Sequence, residues 1–448
     1  MMEIEDFDRC REPRARALIP FGVFLVFYLG ISLWAGDFYR VPMPVAFLVA
    51  SASALVLDHR SSLRSKVELF AHGMGNVDIM TMCLIFILAG AFAGVASAMG
   101  AVSATVNLAL AVIPANLLLA GVFLVGCFIS ISIGTSVGTV VALTPIALGL
   151  TGTLEISPGL CLGAVVGGAM FGDNLSMISD TTIAATRTQG VEMRAKFLAN
   201  LWIAIPAAVP ALILYVALSS GTTPVEPQPV TWHGILLVLP YLAVLVLALC
   251  GMNVMLLILL GTFLAGCVGI AGGSIDLWQF FEAMGKGARD MSDTLIVALL
   301  AGGLLKVIRY NGGIGYLLNM ISRRIRGRRG AELGIIALTA AVNLFTANNT
   351  VAIVIAGPIA RDISKRFGVP PARAAGILDT ASCIVQGILP YGAQLLMAVG
   401  LAVGAGFRVS AFDVLEFLFY PYLLFAALLL AVLTGFPGRR SRSEKVEQ

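Results

Sequence analysis

Charged residues are scarce in this chain of 448 residues: Asp, Glu, Lys and Arg make up 12% of it, and hydrophobic residues make up 58%. Soluble domains are typically about 25% charged. The missing charge excludes a soluble enzyme, a disordered protein and a nucleic-acid-binding protein, because each needs a more polar surface. With a mean hydropathy of +0.94, the composition predicts an all-α polytopic membrane protein whose surroundings are the lipid bilayer.

Residue patterns for disulfide, metal and nucleotide chemistry are also missing. The seven cysteines, an odd number, include no CxxC pair and give no complete disulfide framework. Three histidines are scattered along the chain and form no metal-binding motif. No GxxxxGK[ST] phosphate loop occurs, which argues against a directly ATP-driven pump. We therefore expect neither a cofactor nor an enzymatic activity.

The apolar stretches fall into two kinds. A spanning helix needs about 20 predominantly apolar residues. Two regions, 101–190 and 313–402, are apolar but interrupted by Gly, Pro and polar residues, which is typical of re-entrant hairpins and broken helices. Continuous spans are predicted at 18–36, 42–57, 77–98, 197–218, 234–251, 253–271, 293–311 and 413–434.

The basic residues predict the orientation. If both termini are cytoplasmic and the chain crosses the membrane ten times, all but four of the 29 Lys and Arg residues face the cytoplasm. The positive-inside rule favours this arrangement, which places Lys196 and Arg373 on the cytoplasmic side. The four exceptions are Arg40, Lys286, Arg289 and Arg408.

A sequence repeat relates the two halves of the chain at an offset of 212–213 residues. Gly134-Thr135-Ser136 corresponds to Ala347-Asn348-Asn349, and Pro145 corresponds to Pro358. Five crossings in each half predict two inverted repeats, as in many secondary transporters. The predicted parts are a cytoplasmic segment 1–17, a first repeat 18–218 with hairpin 116–148 and broken helix 158–188, an external linker 219–233, a second repeat 234–434 with hairpin 331–360 and broken helix 372–402, and a cytoplasmic tail 435–448.

Acidic residues mark the interrupted region of the first half. Asp173 and Asp180 lie in the run 167–182, which is otherwise apolar or neutral and contains no Lys or Arg. A carboxylate inside a membrane is costly and is by default a functional-site hypothesis. Hydroxyl and amide side chains beside them supply further oxygen ligands suited to a small cation.

The second half carries less charge at the corresponding places. Gln386 corresponds to Asp173, and Asp379 lies one to two helical turns before the predicted break. Asp379 either serves the site or pairs with Arg373 near a helix end. Asn348, Asn349 and Gln386 either bind the substrate or form interhelical hydrogen bonds.

These motifs resemble the NhaC-type Na+/H+ antiporter family of the ion transporter superfamily. The resemblance covers residues 70–430 as an ordered set of motifs and implies an inner-membrane antiporter. It also implies a scaffold domain, a mobile transport domain and, in many members, a homodimer. The motifs that carry it are residues 134–139, 171–176, 178–182, 347–350 and 386–394.

The resemblance and the polar pattern together predict a site at the hairpin tips and broken helices. The predicted proton and cation carriers are Asp173, Asp180 and Asp379. Transported Na+ is expected at Asp173, Asn174, Thr135 and Asn349. The complete set of predicted cation or substrate ligands is Thr135, Ser136, Thr139, Asn174, Ser176, Ser179, Thr181, Thr182, Asn348, Asn349, Thr350, Ser382, Gln386, Tyr391 and Gln394.

The predicted function is exchange of cytoplasmic Na+, or Li+, for external H+ by alternating access. Burial favours the neutral form of a carboxyl group, so a proton competes with the cation for one site. The alternative is a Na+- or H+-coupled transporter of a small organic solute, an amino acid or a carboxylate. A lone intramembrane Arg or Lys near the hairpin tips would favour that alternative, and the sequence pattern indicates none.

Overall fold

The computed structural model describes residues 11–35, 42–57, 61–112, 114–154, 156–177, 179–219, 231–250 and 252–436. Every regular element within these ranges is helical, which confirms the predicted all-α class. The predicted segment 1–17 is described only from residue 11. The predicted linker 219–233 and tail 435–448 lie mostly outside the described residues.

The first half of the chain forms ten helices after a short 3-10 turn. Helix α6 is followed by α7 after two residues, and α8 is followed by α9 after four. The helices are α1 Ile19–Ala35, α2 Met43–Leu57, α3 Leu63–Met74, α4 Val77–Ala98, α5 Ala101–Val112, α6 Ala115–Ile133, α7 Ser136–Leu154, α8 Pro158–Leu175, α9 Asp180–Gln189 and α10 Met193–Ser219.

The second half repeats this order, except that two helices stand where the first half has its last one. The helices are α11 Trp232–Leu249, α12 Val254–Ala271, α13 Leu277–Asp290, α14 Ser292–Tyr310, α15 Gly313–Ser322, α16 Gly327–Thr346, α17 Asn349–Phe367, α18 Pro371–Ile388, α19 Ala393–Gly404, α20 Ala411–Leu415 and α21 Phe419–Thr434.

Seven of the eight predicted continuous spans coincide with single helices, namely α1, α2, α4, α10, α11, α12 and α14. The eighth, 413–434, is interrupted, because α20 ends at Leu415 and α21 begins at Phe419. The count of ten crossings and the opposite orientation of the halves stay predictions. Within the described residues, six helical stretches are long and apolar enough to cross a membrane: Ile79–Ala98, Pro158–Gln189, Met193–Ser219, Val254–Ala271, Leu277–Tyr310 and Pro371–Gly404.

The helices pack into two groups that each contain elements of both halves. Helices α6–α10 pack mainly among themselves and with α16–α21, whereas α2–α5 pack mainly with α11–α15 and α1 packs on α2. In the second group, Gly90 of α4 and Gly287 of α13 meet backbone to backbone, and neither position has room for a Cβ atom. Between the groups, the Tyr391 ring lies 5.6 Å from both the Phe24 and the Phe47 ring, measured between centroids.

The tips of the two helix pairs α6–α7 and α16–α17 have the same local geometry at a spacing of 213 residues. Gly134 ends α6 with φ 74°, and Ala347 ends α16 with φ 48°. Ala347 is the one non-glycine residue with positive φ in the described chain. At the following position, the Thr135 and Asn348 side chains each accept from a backbone amide three residues later.

Interhelical bonds repeat at the same spacing. Ser130 Oγ donates to the Ala169 carbonyl at 2.6 Å, and Asn343 Nδ2, at the equivalent position, donates to the Ser382 carbonyl at 2.8 Å. The Ile131 carbonyl accepts from Ser176 at 2.7 Å. Each bond ties one arm of a helix pair to the interrupted helix of its own half, so the tips and the interruptions are held together.

Candidate cation-binding site

The Asp173 carboxyl group is buried at the end of α8, where the interruption before α9 begins. Its Oδ2 atom accepts hydrogen bonds from Ser136 Oγ at 3.0 Å and Asn349 Nδ2 at 2.9 Å. Its Oδ1 atom accepts from Ser179 Oγ at 2.7 Å. Gln394 Nε2 donates to Ser136 Oγ at 2.8 Å. We call these five residues the Asp173 cluster.

The Asp173 cluster brings several helix N-termini to one carboxylate. Ser136 and Asn349 are the first residues of α7 and α17, and Ser179 is the N-cap of α9. Gln394 is the second residue of α19. The N-terminal end of a helix carries partial positive charge, so these ends stabilise the ionised carboxylate. In the part of the chain that the structure describes, no basic side chain forms an ion pair with Asp173.

Gln386 occupies the position of Asp173 in the other interrupted helix. Its Nε2 atom donates to the Ala347 carbonyl at 3.1 Å and to Gln394 Oε1 at 2.9 Å. Through Gln394 and Ser136, Gln386 is connected to Asp173 by an unbroken series of hydrogen bonds. The two halves therefore share one polar network with one uncompensated charge.

A second polar group lies beside the first and contains a lysine. Lys196 Nζ donates to the Asn174 carbonyl and to Thr182 Oγ1, both at 2.7 Å, and forms an ion pair with Asp379. Lys196 and Asp379 are each 0% exposed. We call these four residues the Lys196 cluster. Thr181 lies between the clusters, because its hydroxyl contacts Ser179 at 2.8 Å and the Asp379 carboxyl group.

The burial of Lys196 is a correction to the sequence analysis, which counted this residue among the cytoplasmic charges and found no basic residue near the tips. Lys196 is a buried cation beside the interrupted helix of the first half. Such a basic residue is the feature that would favour transport of an organic solute. One signal could have found it. Lys196 and Asn200 continue, at helical spacing, the buried stripe that α10 forms with Ile203, Ala204, Ala207 and Ala211.

Of the two alternatives for Asp379, the structure does not show the pairing with Arg373, because Asp379 pairs with Lys196. The Arg373 guanidinium instead binds Glu332 through two parallel bonds of 2.7 and 2.8 Å, and it donates to the Ala431 carbonyl. Arg373 is buried. A bidentate geometry of this kind is the strong form of an Arg–carboxylate pair.

The four expected Na+ ligands do not form one shell. Only Asp173 and Asn349 are in direct contact. The Asn174 amide oxygen accepts from Asn200 at 2.7 Å and from Thr380 at 3.2 Å, so Asn174 belongs with the Lys196 cluster. Thr135 bonds within its own tip, where its carbonyl accepts from the Thr139 hydroxyl at 2.9 Å.

Asp180 lies at the first position of α9. Its side chain is exposed, unlike the buried Asp173 carboxyl group. Ser382 Oγ donates to the Asp379 carbonyl at 2.9 Å, and Tyr391 donates to the Leu344 carbonyl at 2.6 Å. Thr350 follows Asn349 and donates its backbone amide to the Asn349 side chain at 3.1 Å. These contacts hold the tips and interruptions in shape around the two clusters.

A cavity of about 300 Å³ leads to the second helix tip. Thr346 and Asn348 of the tip lie along it, next in sequence to Asn349, which contacts Asp173. Arg309 lines the same cavity at the exposed end of α14. The cavity therefore connects the exposed end of α14 near Arg309 with the second helix tip.

Comparison with known proteins places this arrangement in a family. The family model described as "Na+/H+ antiporter family" matches residues 19–220 and 226–439. The chain is 23% identical to the malate-2H+/Na+-lactate antiporter of Bacillus subtilis, over 94% of each chain. It is 24% identical to the Na+/H+ antiporter NhaC of Alkalihalophilus pseudofirmus, over 68% of this chain and 71% of that protein.

A further relative is the arginine/ornithine antiporter ArcD of Halobacterium salinarum. It is 24% identical, with 97% of this chain and 94% of that protein covered. The family match extends over nearly the whole helical chain, including both helix tips, both interrupted helices and the Asp173 cluster. The chain therefore belongs to the Na+/H+ antiporter family and is a multi-pass membrane transporter.

Proposed function

We propose that this chain exchanges cytoplasmic Na+, or Li+, for external protons by alternating access. The bacterial cytoplasmic membrane is its proposed location, with both termini in the cytoplasm and the chain assembled as a homodimer. One observation carries the proposal. Asp173 is a buried carboxyl group that neutral donors from both halves surround, and no described basic side chain forms an ion pair with it.

The Asp173 cluster suits competition between a proton and a small cation. A carboxylate accepts hydrogen bonds from Ser136 and Ser179, but the same hydroxyl groups can rotate and present oxygen lone pairs. When Asp173 is protonated, its O–H can donate to the Ser179 oxygen, and the Ser179 proton can turn to Thr181, 2.8 Å away. When a cation binds, the hydroxyl oxygens and the carboxylate supply hard ligands.

Alternating access requires that the loaded site be close to neutral, because a net charge inside a membrane is costly. The protonated and the cation-bound forms of Asp173 both meet this condition, whereas the empty ionised form does not. The protein therefore changes conformation when loaded with either ion, and exchange follows. The cavity that reaches Asn348 supplies access from the side of Arg309, which the sequence assigns to the cytoplasm.

Fluorescence-monitored proton movement in everted vesicles tests the proposal. Vesicles from an antiporter-deficient bacterium are acid-loaded, and Na+, Li+ and K+ are added separately. We expect dequenching with Na+ or Li+, no response from the Asp173→Asn variant, and a normal response from Asp362→Asn. Asp362 is the matched control because it is an exposed aspartate on α17. A normal response from Asp173→Asn would remove this residue from the carrier role.

The second candidate is an antiporter of small organic ions coupled to Na+ or H+. The buried Lys196 ammonium favours it, because a basic group beside an interrupted helix can bind a carboxylate. Two relatives carry malate and lactate, or arginine and ornithine, in their names. Counterflow of labelled lactate, malate or arginine in proteoliposomes separates the candidates: we expect no exchange of these solutes if Na+/H+ exchange is the function.

A further inference from the structure

The Lys196 ammonium occupies surroundings that would suit a metal cation. Its three contacts are the Asp379 carboxylate, the Asn174 carbonyl near the end of α8 and the Thr182 hydroxyl. Carboxylate, carbonyl and hydroxyl oxygens are the ligand types that hard cations take in proteins. The helix end adds partial negative charge, which favours a cation there. The Lys196 ammonium thus occupies, next to the Asp173 cluster, a group of oxygen ligands of the kind that would bind a metal cation.

We infer that Lys196 is a resident counter-cation that fixes the exchange at one cation for one proton, so that transport moves no net charge. This inference rests on the proposed function, and it adds the stoichiometry and electrical character of the exchange. Lys196 acts here as a positioning residue, since it contacts Asp379 and Asn174 rather than the transported ion.

Counting charge leads to this stoichiometry. The two clusters contain two carboxylates, Asp173 and Asp379, and one ammonium, Lys196. Lys196 neutralises Asp379, which leaves a single negative charge on Asp173. One proton or one monovalent cation makes the whole site neutral, and a second would leave it positive. Because each excess charge in the membrane interior costs several kcal/mol, the site carries one ion at a time.

The count also assigns a role to Asp379 that differs from ion carrying. If Asp379 took up a proton during transport, Lys196 would keep an uncompensated positive charge in a site without water contact. Both side chains are fully buried, and the Lys196 ammonium is enclosed by its contacts with Asn174 and Thr182. The pair is therefore retained through the cycle, and Asp173 alone exchanges its ion.

The wild-type protein tests the stoichiometry without any mutation. In proteoliposomes with the membrane potential clamped by K+ and valinomycin, one measures the Na+ gradient at which net proton movement stops. We expect the same balancing gradient at 0 and at −100 mV. If one net charge moved in each cycle, 100 mV would shift this gradient about 50-fold. A shift of that size would overturn the inference while leaving Na+/H+ exchange established. Absence of any Na+-driven proton movement would instead contradict the proposed function.

Two variants test the role of the pair. Asp379→Asn leaves the Lys196 charge uncompensated, so cation binding at Asp173 would give a positive site, and we expect at least a tenfold loss of exchange. The double variant Lys196→Gln with Asp379→Asn restores neutrality. We expect it to recover at least a third of wild-type exchange with an unchanged balancing gradient. A double variant that is inactive, although a purified monodisperse sample shows that it is folded, would identify Asp379 as a carrier and overturn the inference.

The Arg373–Glu332 pair provides the matched control for a purely structural ion pair. Glu332→Gln leaves the Arg373 guanidinium without its carboxylate, and removal of one partner of a buried pair is strongly destabilising. We expect this variant to lower the amount of folded protein and to keep the exchange rate per folded molecule. The same result for Asp379→Asn would show that its pair is structural only and would overturn the inference.

Discussion

The two interrupted helices of this protein have the same architecture, but they differ in the side chain at one equivalent position, which is acidic in the first and neutral in the second. In the first, α8 ends in a carboxyl group, Asp173, surrounded by hydrogen-bond donors. In the second, the equivalent position of α18 holds Gln386, whose amide group donates to the Ala347 carbonyl. The comparison shows that the duplicated frame supplies the same geometry twice, whereas the carboxyl group that we propose as the ion site is present once.

Both halves of the chain supply hydrogen-bond donors to Asp173, although only the first half carries the carboxyl group. Ser136 and Asn349 are 213 residues apart, at equivalent positions of the two tips, and both donate to the same carboxylate oxygen. A movement of either half relative to the other changes the surroundings of the single charge. We therefore expect the affinity of the proposed site for an ion to depend on the relative position of the two halves.

Exchanging the two residues gives the largest expected effect. A double variant, Asp173→Gln with Gln386→Asp, keeps the composition but moves the carboxylate to the second interrupted helix. We expect no measurable exchange in the vesicle assay. The new carboxylate would face the Ala347 carbonyl and Gln394 Oε1, which are both acceptors, instead of three donors. Exchange by this variant would mean that the two positions are functionally equivalent.

Removing one donor sharpens the comparison of the two tips. Ser136→Ala and Asn349→Ala each remove one hydrogen bond to the ionised carboxylate, an interaction of about 1.5–3 kcal/mol. We expect the apparent affinity for Na+ to fall about tenfold in both variants and the activity profile to move to higher pH, because the ionised form is less stable. The exposed Asn319→Ala variant is the control. An effect in only one tip variant would contradict equal contributions from the two halves.

A stability difference is expected between the two interrupted helices. Gly172 of α8 lies against Ser130 and the backbone of Ile131 on α6, whereas the equivalent position of α18 holds Val385. Gly172→Ala places a methyl group in this contact and should cost about 1–3 kcal/mol. Thermal unfolding of the purified protein in detergent measures the loss. The control is Gly121→Ala. Gly121 lies on α6, the helix that Gly172 packs against, and a Cβ atom added there meets nothing within 4 Å. Equal melting temperatures would show that α6 and α8 separate easily.

The smallest expected effect concerns Asp180. The sequence pattern groups it with Asp173, and on that basis Asp180→Asn should abolish exchange. In the structure the Asp180 side chain is exposed at the start of α9. We expect this variant to retain more than half of the wild-type rate in the vesicle assay. Complete loss would indicate that Asp180 enters the site in another conformation.

Much of the fold could be predicted from the sequence, because the membrane imposes simple rules on it. The continuous spans are readable from length and hydropathy, since a spanning helix must be apolar over its whole length. The tips are readable from Gly134 and the polar residues after it. Helices α3 and α13 escaped prediction because they are short and amphipathic, and their backbone contacts through Gly73 and Gly287 depend on tertiary packing.

The site was only half accessible from the sequence. A carboxylate in an apolar run, such as Asp173, stands out in one dimension. An ion pair between distant residues cannot be recognised in this way, since Lys196 and Asp379 are 183 positions apart. A lysine near Arg194 also has the sequence pattern of an ordinary cytoplasmic charge. Which of the two aspartates faces inwards also depends on where α9 begins, and the Ser179 hydroxyl at that boundary donates to Asp173 instead of capping the helix.

The aromatic contact at Tyr391 has a mechanical consequence. Tyr391 lies in the interruption between α18 and α19, and its ring packs against Phe24 and Phe47 of the other helix group. Edge-to-face ring pairs are favourable over a range of centroid distances, so they tolerate small displacements that a hydrogen bond would resist. We therefore expect the interruption to tolerate a small shift of one helix group against the other at this contact.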